Sequence, residues 1–147
     1  MSYTTYCSRE DVTKRLSPTG LAYCADDDLD GVGEQDNVNA TDEAIAAAGS
    51  EIDFALCQWF PVVPLPQTTR NETLRLWAVD LAVDYLATRR GGSINEAFSV
   101  RAAAVRENLS AVRKGSGRIP GLIYPTDQYE QERRNIGLPR VANPRRA

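Results

Sequence analysis

The sequence predicts an all-α protein: a small helical bundle of one short and three long helices, with an acidic loop and an extended C-terminal arm. Three observations carry this. Apolar residues recur at helical spacing through three long segments. The prolines fall between those segments and none within them. The chain has 147 residues, which suits one core and not two.

The short helix covers residues 8 to 16. Ser8 and Asp11 form a capping pair, and Val12 and Leu16 supply an apolar face. Ser17, Pro18, Thr19 and Gly20 are expected to end it. An acidic loop follows, from about Ala25 to Asn39. Between Ala25 and Glu43 there are eight acidic residues and no basic one.

The first long helix is expected from about Thr41 to Trp59. Ile45, Ala48, Ile52, Ala55 and Leu56 recur along one face, and Trp59 and Phe60 close it. Pro61, Pro64 and Pro66 forbid its continuation. The second helix, about Asn71 to Thr88, carries two apolar stripes. Leu74, Ala78, Leu81 and Tyr85 form one; Leu76, Val79, Val83 and Leu86 form the other. A helix apolar on two sides is sandwiched, so this one is expected at the centre.

Arg89, Arg90, Gly91 and Gly92 close the second helix. Ser93 and Glu96 read as a capping box for the third, which reaches Lys114. Phe98, Ala102, Val105, Leu109 and Val112 form its narrow seam, and Gly115 suits the position just past its end. Residues 1–115 are thus expected as the helical domain and 116–147 as an extended basic arm. The arm holds four Pro and six Arg, with Ile119, Leu122, Ile123, Tyr124, Tyr129 and Leu138 as anchors. From Arg113 onward there are eight basic residues against three acidic, so the two charged regions are complementary.

Chemistry finds little to stand on. The chain has no His, which removes the commonest general base and zinc ligand. It has no nucleophile elbow, phosphate loop or CxxC. No enzyme activity, catalytic residue, cofactor or metal site is expected. Asp26, Asp28, Asp30 and Gly31 match the front half of a calcium loop. Asn37 stands where a bidentate Glu is needed, so a solvated acidic loop is the better reading. Asp80 and Asp84 share a helix face at i,i+4, with Arg101 and Arg106 as expected structural partners. Cys7, Cys24 and Cys57 form no spaced motif and fit a reducing compartment. Cys57 is expected as a buried small hydrophobe. No signal peptide or membrane span is expected. Arg133, Arg134, Arg140, Arg145 and Arg146, with Tyr124 and Tyr129, offer an alternative reading. The chain would then be a small helical nucleic-acid-binding or regulatory protein.

The ordered set Ala48, Glu51-Ile52-Asp53, Trp59-Phe60-Pro61, Pro64-Leu65-Pro66, Asp80-Leu81-Ala82, Tyr85-Leu86 and Lys114-Gly115 resembles a known family. It is similar to the small head–tail adaptor (connector) proteins of tailed bacteriophages, notably the Mu-type family, over roughly residues 3 to 117. The tail beyond about Gly121 shows no pattern of that family. The resemblance implies a helical structural protein of the virion, made in the host cytoplasm. It implies a ring, commonly twelvefold, below the portal, joining the DNA-filled head to the tail and lining the DNA channel. The implied partners are further copies of the chain, the portal, a downstream neck or tail protein, and double-stranded DNA passing without sequence specificity. Trp59, Phe60, Ile123, Tyr124, Tyr129, Arg133, Arg134 and Arg140 are the expected partner-binding residues.

Overall fold

A computed structural model describes residues 5–25, 34–89, 96–127 and 135–137, without the side chains of 34–37. The described residues form helices and turns, with no strand among them. Their helices are α1 (Arg9–Leu16), α2 (Pro18–Ala25), α3 (Glu34–Leu56), α4 (Glu72–Thr88) and α5 (Glu96–Lys114).

The capping box of α1 is present: Asp11 N–H donates to Ser8 Oγ at 3.2 Å and Ser8 N–H to Asp11 Oδ2 at 2.9 Å. The break at residues 17–20 ends α1 as expected but leads directly into a further helix, so two short helices precede the three long ones. Ser17 takes a left-handed φ of 67°, and its hydroxyl accepts from Gly20 N–H at 3.2 Å. Pro18 then occupies the first helical position, where its missing N–H costs nothing. The motif ends α1 at Leu16, as expected, and starts α2 as well.

Helix α3 also begins seven residues before the expected Thr41. Thr41 is a buried mid-helix residue, 2% exposed, and no cap. The polar run 34–39 hides the helix because it carries no apolar period. At the other end α3 closes at Leu56, and 57–59 form a turn.

Helix α4 is the centre, packed against α1, α2, α3 and α5. Leu74, Ala78, Leu81, Val79, Val83 and Leu86 are buried, covering both expected stripes. Leu76 and Tyr85, expected on those stripes, stand partly in solvent. Each fully buried Leu or Ile contributes roughly 1.5–3 kcal/mol relative to exposure. The α5 seam is buried at Ala102, Val105, Leu109 and Val112, with Phe98 packed at its edge.

Two arginines clamp the carboxylates of α4. Arg106 of α5 donates to Asp84 at 2.9 Å and bidentately to Glu51 of α3 at 3.0 and 3.1 Å. Asp80 is met not by Arg101 but by Arg15 of α1, at 3.0 Å. Sequence spacing identifies α5 as a neighbour, but not α1. Arg75 of α4 bonds Asp11 at 2.7 Å and also pairs with Glu72.

The start of the expected arm is part of the body. Ile119, Leu122 and Tyr124 are buried in the same core as the helices. These anchors dock on their own subunit.

Candidate functional site

One end of the bundle gathers the C-terminal turns of α3 and α5, the N-terminus of α4, the proline loop 60–66 and residues 115–124. Helix α5 stops in a Schellman turn. Ser116 N–H donates to Ala111 C=O at 3.0 Å and Gly115 N–H to Val112 C=O at 3.1 Å, with Gly115 at φ 81°. Trp59 closes on this turn, donating its indole N–H to the same Val112 carbonyl at 2.8 Å.

The proline loop is tied on its other side to the N-terminal segment. Tyr6 hydroxyl donates to Asp53 of α3 and accepts Leu65 N–H at 3.0 Å. Arg70 lies 4.7 Å over the Tyr6 ring and donates to Leu65 C=O at 2.7 Å and Thr5 C=O at 2.6 Å. Burial, with the Asp53 carboxylate beside it, pushes the Tyr6 phenol far up. Burial also raises Asp53 above the usual carboxylate range, against the opposing Tyr6 bond.

The Glu51-Ile52-Asp53 triplet is therefore a set of three stitches. Glu51 reaches α5, Ile52 is fully buried, and Asp53 holds the N-terminal segment. Two residues turn the helix by about 200°, so Glu51 and Asp53 serve opposite flanks.

Residues 119–124 brace the loop from a third direction. Phe60 and Tyr124 rings lie 5.1 Å apart, and Tyr124 hydroxyl accepts Ile119 N–H at 3.1 Å. Asn71 caps α4 through Leu74 N–H at 3.1 Å and donates to Pro120 C=O at 2.8 Å.

Between α3 and α5, just above Trp59, runs a shallow groove lined by Glu51, Phe54, Ala55, Arg106, Leu109, Ser110 and Arg113. Phe54 is 61% exposed, with the Arg113 guanidinium 4.9 Å over its ring. Beyond the turn of the loop, Val62 is 62% and Ile123 55% exposed.

Of the expected partner-binding residues, the structure brings Trp59, Phe60, Ile123 and Tyr124 to this one end. Phe60 and Tyr124 are buried against each other, Trp59 is partly buried, and Ile123 is exposed. Tyr129, Arg133, Arg134 and Arg140 lie outside the described residues, as does the Asp26–Gly31 loop. Among the described residues no group of His, Cys, Asp and Glu could hold a metal ion. No described helix is long and apolar enough to cross a membrane. Cys57, expected to be buried, is exposed: its N–H still bonds Asp53 C=O at 2.9 Å, so it keeps the helical phase and lies about 100° round from buried Leu56.

Sequence reasoning missed Tyr6, Arg70 and Phe54. Phe54 carries a signal: it lies off the apolar face defined by Ile45, Ile52 and Leu56. Tyr6 carries none, since Asp53 and Leu65 lie dozens of residues away, and Arg70, though it bonds Leu65 five residues back, meets Tyr6 and Thr5 only through the fold.

A protein-family model described as bacteriophage Mu, Gp36 matches residues 6–135. The match runs past residue 117, where the sequence resemblance ended, and so takes in the buried segment 119–124. No curated protein and no solved structure matches the chain. The matched span holds α1 to α5 and the proline loop, and with it the chain is a phage protein and belongs to the bacteriophage Mu Gp36 family.

Proposed function

We propose that the chain is a structural head–tail adaptor of a tailed phage. It forms a ring below the portal, joins the DNA-filled capsid to the tail and lines the DNA channel. The observation that carries this reading is the family match over residues 6–135, which spans the whole helical body. In the reading, the chain does no chemistry and uses no cofactor. Its partners are further copies of itself, twelve in the ring that the resemblance implies, the portal, a downstream neck or tail protein, and double-stranded DNA. It works in the virion at the head–tail junction. Arg133, Arg134, Arg140 and Tyr129 serve as the portal-facing residues, in a segment whose cations and aromatics suit an extended contact.

The test combines the purified chain with the portal protein of the same phage, followed by size-exclusion with light scattering and electron microscopy. A ring of this chain stacked on the portal is the expected result. A strict monomer that never joins the portal overturns the reading.

A further inference from the structure

We infer that the groove between α3 and α5 docks an acidic peptide segment of another protein, which lays an apolar side chain on Phe54 and sets an Asp or Glu carboxylate against Arg113. The inference goes beyond the adaptor reading and does not rest on it.

The helical period builds the groove. Phe54 and Ala55 follow Glu51 by three and four residues on α3, and Leu109 and Arg113 follow Arg106 by three and seven on α5. Each set therefore shares one helix face. Ala55 and Leu109 are buried and form the floor. The groove holds about 240 Å³. Small-molecule pockets run to roughly 300–1,000 Å³, so this one suits one or two side chains of a peptide instead.

Phe54 supplies the apolar contact. It is 61% exposed even though the Arg113 guanidinium lies 4.9 Å over its ring. Its open surface continues into the apolar floor, and a concave apolar surface of this kind marks a contact.

Charge selects the occupant. The two arginines of the groove are in opposite states. Arg106 is committed, holding Glu51 at 3.0 and 3.1 Å and Asp84 at 2.9 Å. Among the described residues Arg113 has no carboxylate partner, and its charge faces only the Phe54 ring. A guanidinium stacked on a ring keeps its N–H edge free, and that edge matches a carboxylate bidentately. An uncharged occupant would cover the cation and give it no counter-charge. A basic one would meet it with like charge. Nucleic acid fits less well, because a phosphate backbone is held by several cations. The groove offers one free cation, and the Glu51 carboxylate lines it too.

Selection of a random, yeast-displayed peptide library on the full chain tests this. The enriched peptides are expected to carry Asp or Glu within a few positions of Leu, Ile or Phe. Fluorescence anisotropy of the strongest peptide should show Phe54→Ala binding it about tenfold more weakly, as for an apolar anchor. Arg113→Gln should weaken it about threefold, more at low salt. Phe54→Leu and Arg113→Lys should fall between wild type and these variants. Replacing the peptide's carboxylates by amides should weaken binding to wild type but not to Arg113→Gln, the mark of a direct pair. Thermal melts matching wild type establish that the variants fold. No enrichment, or enrichment of basic or uncharged peptides, overturns the inference. So does an acidic peptide whose binding neither variant alters. Short duplex DNA bound by wild type and lost in Arg113→Gln would overturn it by assigning the cation to phosphate. Self-association lost in Phe54→Ala would overturn it by assigning the groove to a second copy.

Discussion

Trp59 and Gly115 hold one another in place across the end of the bundle. A Cβ added at Gly115 would stand 3.2 Å from two ring carbons of Trp59, and Gly115 already sits at φ 81°. The Val112 carbonyl accepts from both residues, so the proline loop is hung from the cap of α5. Gly115→Ala is expected to destabilise by about 1–2 kcal/mol from the left-handed backbone alone, with the ring contact adding to it. Trp59→Ala removes the contact and leaves the backbone cost. In a double-mutant cycle read by urea denaturation, Gly115→Ala should therefore cost less in the Trp59→Ala background. Equal costs in both backgrounds would show that the ring does not press on this position.

Tyr6 is the hinge pin of the N-terminal segment. Tyr6→Phe keeps the ring under Arg70 but leaves Leu65 N–H without its acceptor and Asp53 without its donor. The expected loss is about 1–3 kcal/mol, since the buried Leu65 N–H and the partly buried Asp53 carboxylate each lose a hydrogen bond. Adding Asp53→Asn to Tyr6→Phe should recover part of it, because a neutral amide tolerates burial better than a carboxylate. Chemical denaturation of the single and double variants reads this, and a Tyr6→Phe chain as stable as wild type refutes it.

Arg106 joins three helices through one guanidinium. Asp84 is 7% exposed and relies on Arg106, with Ser99 at a longer 3.3 Å. Arg106→Ala strands that carboxylate, and the expected loss is about 2–3 kcal/mol, reduced from the fully buried case because Arg106 itself is partly exposed. Arg106→Lys should rescue little, as one ammonium lacks the fork that serves Glu51 and Asp84 together. Asp84→Asn in the Arg106→Ala chain should rescue more. Midpoints of urea unfolding for the three chains give the order directly.

The long helices and the central place of α4 were legible because apolar spacing records which faces are buried. Leu74, Val79, Leu81 and Val83 show this on α4, and Ala102 to Val112 show it on α5. What spacing does not record is a helix built from polar residues, as at 34–39, or a Ser-Pro pair whose role depends on the backbone around it. Nor does it record contacts between distant segments. Arg15 meets Asp80 because α1 lies along α4, and Tyr6 meets Asp53 because the N-terminal segment folds back on α3. The end-of-bundle assembly was half legible: Trp59, Phe60 and Tyr124 stood out as aromatics beside prolines. Their common task of fixing one loop appears only once α5 brings Val112 to Trp59.

The cysteines give a prediction with a built-in pH dependence. Cys57 is exposed, whereas Cys7 and Cys24 are buried. Under native conditions a thiol reagent such as 5,5′-dithiobis(2-nitrobenzoic acid) should modify one thiol quickly, and Cys57→Ser should abolish that fast phase. Burial, with Asp11 nearby, pushes the Cys7 thiol up from its ordinary value of 9.0 to about 12. A group raised in this way stabilises the fold fully below its unfolded value, and that contribution is lost as pH rises through the folded one. Stability should therefore decline from about pH 9 towards 12. The Tyr6 phenol, also raised by burial, steepens the same decline at its alkaline end. Cys7→Ala should flatten the lower part of that profile, and Tyr6→Phe the upper part. Denaturation midpoints across this range check both, and a Cys7→Ala profile that keeps the wild-type slope would exclude the thiol as the source.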